Sequence, residues 1–88
     1  MTREEAEEFC GGEEGVLFCD GYDDCILGMV SHPEMRVVYN ADKMLQSMIE
    51  DEEMEMEFSD ALEHMAYNIE GAYLGPHTPL YVYGVDNV

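Results

Sequence analysis

The sequence has very few basic residues. Three Lys and Arg side chains stand against 21 Asp and Glu side chains, which gives a formal net charge of −18. These cations are too few to neutralise even a short run of phosphates, so direct binding of nucleic acid through a basic surface is excluded. Attachment to an anionic membrane surface is disfavoured for the same reason. The charge also opposes compaction, and screening salt, a cation or a basic partner would relieve that cost.

Long apolar runs are also absent, and we expect no secretory leader. No apolar run approaches the about 20 residues that a membrane-spanning helix needs. The start of the chain, Met1–Glu5, lacks a basic segment followed by an apolar one, so it is not a signal peptide. The three cysteines, Cys10, Cys19 and Cys25, are an odd number without zinc-type spacing, which indicates free thiols. We therefore expect a soluble protein of the cytoplasm.

What is present favours one folded domain over residues 1–88. Hydrophobic residues make up 47% of the chain, which excludes disorder from a lack of apolar content and suffices for one small core. A helix is predicted over Thr2–Phe9, with Thr2 as its N-cap. Runs of apolar and β-branched residues then predict strands over Val16–Cys19, Cys25–Val30, Arg36–Tyr39 and Leu80–Tyr83. We expect the first two strands to pair as an antiparallel hairpin.

Two helices are predicted between the third and fourth strands. Asn40 is the expected N-cap of a helix of about ten residues that starts at Ala41. A longer helix is predicted over Glu57–Leu74, and Pro76 forbids its continuation. Its apolar residues recur at steps of three and four and form the face expected to be buried: Phe58, Ala61, Leu62, Met65, Ile69, Ala72 and Tyr73. The predicted fold is α+β, with a small, mostly antiparallel sheet of about four strands covered on one face by the two helices.

Three segments of the chain carry a family resemblance. They are Asp20–Gly28, Val37–Lys43 and Asn68–Pro79. In this order and at this spacing they resemble a family of small, acidic, mostly uncharacterised bacteriophage proteins. The resemblance implies an accessory protein that acts in the cytoplasm of a bacterial host, and it implies no particular activity. Two positions depart from the family pattern: Asn40 stands where Asp is usual, and Glu55 where the turn between the helices usually has Gly.

The strongest functional candidate is the acidic segment that leads into the longer helix. Eight carboxylates lie within 14 residues, and a helix would space them over about 21 Å, or one charge per about 2.6 Å. That density approaches the charge per about 1.7 Å of duplex DNA, so such a surface can occupy the nucleic-acid site of a basic protein. The alternative is a solvated face that keeps the chain soluble. The predicted partner-binding residues are Glu50, Asp51, Glu52, Glu53, Met54, Glu55, Met56, Glu57, Asp60 and Glu63.

Candidate metal and catalytic groups are sparse. Asp20, Asp23 and Asp24 share one predicted turn, which indicates either a structural turn or a weak Ca²⁺ or Mg²⁺ site. Their spacing does not match an EF-hand loop. The histidines and cysteines lack the paired spacing of a zinc site, and no nucleophile or phosphate loop accompanies the carboxylates. We therefore predict no cofactor, no resident metal, no catalytic residues and no enzymatic activity.

These features predict an inhibitory binding protein. Its target would be a basic, nucleic-acid-dependent protein of the host. It would inhibit that target as a DNA mimic or as an anti-defence protein such as an anti-CRISPR. Met54 and Met56 would add adaptable apolar contacts to the carboxylates. The alternative is a small self-associating accessory or structural phage protein, such as a homodimer, whose acidity serves solubility. In that case Tyr81 and Tyr83, two residues apart on a strand, would help to form the interface.

Overall fold

The computed structural model describes residues 1–85, and it begins with the predicted N-terminal helix. This helix, α1, spans Arg3–Cys10. The Thr2 hydroxyl accepts a hydrogen bond from the Glu5 backbone N–H at 3.1 Å, and the Glu5 carboxylate accepts one from the Thr2 N–H at 2.9 Å. This reciprocal capping box satisfies donors that a helix start leaves without partners. Gly11 ends the helix in a left-handed conformation with φ of 58°.

Three strands form a mixed sheet in the order β1-β2-β3. β1 spans Ile26–Val30, β2 spans Arg36–Asn40 and β3 spans Leu80–Val82. β1 and β2 pair antiparallel, with Met29 opposite Val37, whereas β2 and β3 pair in parallel. The parallel pair is possible because the helices between β2 and β3 supply the long crossover that parallel strands need. The α+β class is confirmed, but residues 1–85 contain three strands rather than four, and the sheet is mixed rather than mostly antiparallel.

The strand predicted over Val16–Cys19 is wrong. This segment has no sheet pairing, and β1 pairs with β2 instead of forming the expected hairpin with it. Val16, Phe18 and Cys19 nevertheless pack against the core, and the Cys19 backbone N–H donates to the Tyr39 hydroxyl at 2.7 Å. The apolar run indicates burial correctly, but a tyrosine hydroxyl replaces the strand partner as hydrogen-bond acceptor. A short 3₁₀ turn, Asp23–Cys25, then leads into β1.

Helix α2 follows β2 directly and spans Ala41–Glu50, as predicted. Asn40 is its N-cap, and the side-chain oxygen of Asn40 accepts a hydrogen bond from the Lys43 backbone N–H at 3.1 Å. This bond satisfies one of the free donors at the start of the helix. Asn therefore serves at the position where the phage family usually has Asp. The buried face of α2 consists of Ala41, Met44, Leu45 and Met48.

The longer predicted helix is confirmed only in its first part. Helix α3 spans Phe58–His64, and the chain continues as a π-helical segment, Met65–Glu70, instead of an α-helix to Leu74. At Gly71 a Cβ atom would lie 2.9 Å from the Ala66 carbonyl oxygen. Only a residue without a side chain allows that close backbone approach. The change from α-helix to the wider π-helix depends on backbone contacts. The helical period of the sequence therefore does not reveal it.

The elements share a hydrophobic core built from the sheet, α2 and the chain from α3 onward. Its buried members are Cys25, Ile26, Val37, Tyr39, Ala41, Met44, Leu45, Met48, Ala61 and Met65. Met44, Met48 and Met65 are fully buried, so three of the methionines serve packing, as their helical spacing predicts. Within residues 1–85, no helix has the length and apolar character needed to cross a membrane.

Candidate functional site

The acidic segment Glu50–Glu63 connects two helices and is not itself one helix. Glu50 is the last residue of α2, a loop covers residues 51–57, and α3 begins at Phe58. Most of the predicted partner-binding carboxylates lie on this loop. The regular spacing of about 2.6 Å per charge that a continuous helix would give therefore does not apply. The segment is a charged turn rather than a linear row of charges.

Asp51 shapes the loop through hydrogen bonds to the backbone that follows it. Its carbonyl oxygen accepts from the N–H groups of Met54 and Glu55, each at 3.2 Å. Its carboxylate accepts from the Glu53 N–H at 2.9 Å, as Asp commonly does in turns. Glu55 then adopts a left-handed conformation with φ of 48°, which is uncommon for a residue with a side chain. Glycine adopts this backbone conformation without the steric cost that a side chain brings.

The carboxylates of the segment divide into two groups. Some support local structure: Glu50 accepts a hydrogen bond from the Gln46 amide at 3.1 Å, and Asp60 accepts one from the Glu57 backbone N–H at the start of α3, at 3.3 Å. Asp51 belongs to this group as well, and so does Glu57, whose side chain accepts from the Asp60 backbone N–H in the capping box of α3. Among the carboxylates of this segment, all within residues 1–85, the side chains without a hydrogen bond or ion pair are those of Glu52, Glu53, Glu55 and Glu63. We call these four the free carboxylates.

All the predicted carboxylates of the segment are exposed to solvent, but the two predicted methionines differ. Met54 is 40% exposed, whereas Met56 is half-buried and packs against the core. A methionine on the surface next to carboxylates can adapt to an apolar partner. Met54 is therefore available for contact, and Met56 instead anchors the loop to the protein.

The hydrogen bonds and ion pairs of the three Lys and Arg side chains are made to residues outside this segment. Arg3 forms ion pairs with Glu7 at 2.9 Å and with Asp23 at 3.2 Å. Lys43 donates to the Asp24 carbonyl oxygen at 2.7 Å, and Arg36 donates to the Thr78 carbonyl oxygen at 3.3 Å. Within residues 1–85, no Lys or Arg forms an ion pair with the segment. In this part of the chain, no direct ion pair with Lys or Arg therefore neutralises the carboxylates of the segment.

The structure does not bring Asp20, Asp23 and Asp24 together as a metal site. Asp23 is paired with Arg3, and Asp24 lies beside the Cys25 thiol, with 3.7 Å between Oδ1 and Sγ. Among the described residues there is no group of three or more His, Cys, Asp or Glu side chains that could hold a metal ion. The structural-turn interpretation fits this geometry, because Asp23 and Asp24 begin the 3₁₀ turn that precedes β1.

The cysteine thiols lack the environment of a catalytic nucleophile. Burial raises the pKa of the Cys25 thiol to about 11, and the adjacent Asp24 carboxylate acts in the same direction. Burial also raises the pKa of Cys19. Reactive thiols have lowered pKa values because a nearby positive charge stabilises the thiolate. Cys19 and Cys25 instead act as small core residues, as the sequence predicts.

The tyrosines near the C-terminus do not form a joint surface. Tyr81 stacks on Tyr39 at the core, with ring centroids 5.9 Å apart and an interplanar angle of 20°. Burial raises the pKa of both hydroxyls, that of Tyr39 to about 12. Tyr83 lies beyond the end of β3, is 43% exposed and donates a hydrogen bond to the Glu70 carboxylate. Tyr81 therefore packs in the sheet, whereas Tyr83 lies on the surface.

The apolar face predicted for the longer helix is only partly buried. Ala61 and Met65 are fully buried, and Ile69 packs against the core. Phe58, however, is 60% exposed and Leu62 is 39% exposed. Their expected burial is wrong, because the apolar face is wider than the surface that the rest of the fold covers. Sequence periodicity shows which residues share a side of a helix, but it does not show how wide the partner layer is.

Comparisons with known proteins identify no relative of this chain. No protein-family model matches the chain, and neither a curated protein nor a solved structure matches it. The resemblance to phage proteins therefore stays a prediction that rests on the three sequence segments.

Proposed function

We propose that this protein binds and inhibits a basic, nucleic-acid-dependent protein of a bacterial host. The observation that carries this proposal is the exposed acidic segment Glu50–Glu63, whose free carboxylates form no ion pair with a Lys or Arg of residues 1–85. Uncompensated charge of one sign raises the rate of encounter with a surface of the opposite sign. Lys and Arg that normally contact phosphates are such a surface. The biological role that we propose is anti-defence, such as that of an anti-CRISPR protein.

The turn geometry supports occupation of a compact site rather than imitation of a long duplex. A duplex presents its phosphates in a regular row over its length, whereas these carboxylates lie on one loop and its flanking helix ends. The free carboxylates also make no bonds that would have to break before they could contact a partner. Binding would therefore cost the fold little, and the inhibitor would block one basic pocket or channel by electrostatic and steric means.

The test is capture of proteins from bacterial lysate by the tagged protein at about 0.15 M and about 0.5 M salt, because screening weakens exposed charge contacts. The loop variant replaces Glu52, Glu53, Glu55 and Glu63 by Gln. A control variant replaces Glu4, Glu8, Glu13 and Glu14 by Gln, which are exposed and make no side-chain hydrogen bond within residues 1–85. Both variants lose the same charge.

We expect the wild type and the control variant to retain one nucleic-acid-binding protein that the loop variant loses. Higher salt and added DNA or RNA should release that protein, because they compete for the same cations. Equal retention by the loop variant, verified as folded by circular dichroism, would contradict the proposal.

Self-association is the second candidate function, and the exposed aromatic residues favour it. Tyr67 is 76% exposed and Tyr73 is 71% exposed, and tyrosine is enriched in the energetically important parts of interfaces. Light scattering distinguishes the candidates. A stable oligomer without a retained host protein would support the accessory or structural role.

A further inference from the structure

Helix α3 has an apolar side that the fold leaves exposed. Ala61 and Met65 face the core and are fully buried. Phe58 and Leu62 are four residues apart, so they lie one above the other on the same side of the helix, and they are 60% and 39% exposed. A surface helix normally presents polar residues to solvent. Phe58 and Leu62 therefore form an unpartnered apolar stripe, which we call the α3 stripe.

Carboxylates are sequence neighbours of the α3 stripe, and those within α3 lie on other sides of the helix, since residues one or two positions apart do not face each other. Glu57 precedes Phe58, Asp60 lies between the two apolar residues, and Glu63 follows Leu62; all three carboxylates are exposed. The loop with the other free carboxylates precedes the helix. A second copy of this chain would bring like charges together, since each copy has a formal net charge of −18, and like charges across an interface are repulsive. Charge complementarity therefore favours a basic occupant.

We infer that Phe58 and Leu62 are apolar anchors that enter an apolar pocket bordered by Lys and Arg on the partner protein. This inference rests on the proposed function and specifies the partner's chemistry: an amphipathic basic surface rather than a purely cationic one. The carboxylates and the apolar anchors contribute to different steps of binding. Charges steer the encounter and mainly raise the association rate, whereas buried apolar anchors mainly slow dissociation.

Two synthetic peptides of about 18 residues, or five helical turns, test this inference directly. One is an amphipathic helix of Leu and Lys, and the other has the same number of Lys residues with Ser in place of Leu. Affinities are measured by titration calorimetry at about 0.15 M salt. We expect the wild type to bind the Leu–Lys peptide at least about tenfold more tightly, which corresponds to about 1.4 kcal/mol. The difference reflects the burial of apolar side chains.

The variant F58S/L62S should lose this tenfold preference and still bind both peptides through its carboxylates. The control variant F9S/Y67S should keep the preference, although Phe9 and Tyr67 are similarly exposed, at 51% and 76%. Because Phe58, Phe9 and Tyr67 are more than half exposed, and Leu62 is 39% exposed, we expect both variants to fold. Chemical-shift mapping on the wild type provides a second measurement that needs no substitution, and the Leu–Lys peptide should perturb Phe58 and Leu62 selectively.

Several results would overturn the inference. Equal affinity of the wild type for the two peptides would contradict it. A preference for the Leu–Lys peptide that persists in F58S/L62S would contradict it as well. Light scattering that shows a dimer which F58S/L62S dissociates would assign the stripe to a second copy. The loop variant separates this inference from the proposed function. In one outcome, the loop variant no longer binds either peptide while F58S/L62S binds both as the wild type does. That result would refute the apolar anchors and leave the electrostatic proposal in place. If the wild type binds neither peptide, both fail.

Discussion

Glu55 shows how a single residue can retain a backbone conformation that suits another amino acid. Its φ of 48° places it in the left-handed region, where a side chain costs about 1–2 kcal/mol and glycine is free of that cost. A glycine at this position would therefore adopt the same turn without that cost. What Glu55 adds is a carboxylate on the exposed turn. The proposed binding function gives a reason for keeping a charged residue in an unfavourable conformation.

We expect Glu55→Gly to stabilise the protein by about 0.5–1 kcal/mol, because relief of the left-handed strain exceeds the extra chain entropy of glycine. Urea denaturation measures the change. Glu55→Ala is the matched control, since it removes the same charge but keeps a Cβ atom. A glycine variant no more stable than the alanine variant would show that the gain comes from charge removal and not from the backbone.

At the scale of elements, the π-helical segment Met65–Glu70 depends on the glycine that follows it. A Cβ at Gly71 would lie 2.9 Å from the Ala66 carbonyl oxygen and 3.2 Å from that of Tyr67. Both atoms belong to the backbone, so the segment itself would have to shift. We expect Gly71→Ala to lower the free energy of unfolding by about 1–3 kcal/mol, the usual cost of overpacking.

Thermal or urea unfolding of Gly71→Ala is compared with that of Gly28→Ala. Gly28 lies in β1, where an added Cβ would meet no atom within 4 Å, so this control should be close to neutral. Wild-type stability in Gly71→Ala would indicate that the segment can return to ordinary α-helix.

Elements with local signals could be predicted from the sequence, and those that depend on distant contacts could not. The Thr2 and Asn40 caps place the starts of α1 and α2 correctly, because a cap bonds to the backbone only a few residues away. Val16–Cys19 has the composition of a strand but finds its acceptor in the Tyr39 side chain. No local pattern indicates a hydrogen bond between residues 20 positions apart.

For the whole molecule, the net charge of −18 predicts a stability that rises with ionic strength. The Debye length falls from about 30 Å at 0.01 M salt to about 10 Å at 0.1 M, so salt weakens repulsion between distant carboxylates. We expect the melting temperature to increase over this range with NaCl and equally with choline chloride, because screening does not depend on the identity of the cation.

The loop and control variants should both be less sensitive to salt than the wild type, and by similar amounts. Each has a formal net charge of −14, that is −18 plus four, and long-range repulsion depends on total charge more than on its position. A melting temperature independent of NaCl would contradict this prediction. A larger effect of NaCl than of choline chloride would instead indicate specific cation binding.

The candidate site shows the same division between what the sequence predicts and what the fold decides. The sequence alone establishes that residues 50–63 are strongly acidic and that the chain has few cations to compensate them. Their arrangement on a turn, with some carboxylates bonded to local backbone and others free, follows from the conformation of residues 51–57. Charge is a property of composition, whereas its geometry depends on the path of the backbone.

By itself the sequence determined the α+β class, the helix caps, the buried methionines and the acidic character, because these follow from composition and from contacts within a few residues. The tertiary structure decided the parallel pairing of β3, the widened turn before Gly71 and the side of α3 that is buried. Ala61 and Phe58 belong to one apolar pattern, yet Ala61 is buried and Phe58 is exposed. The physical reason is that burial needs a partner surface, and the position of that surface is set by residues far away in the chain.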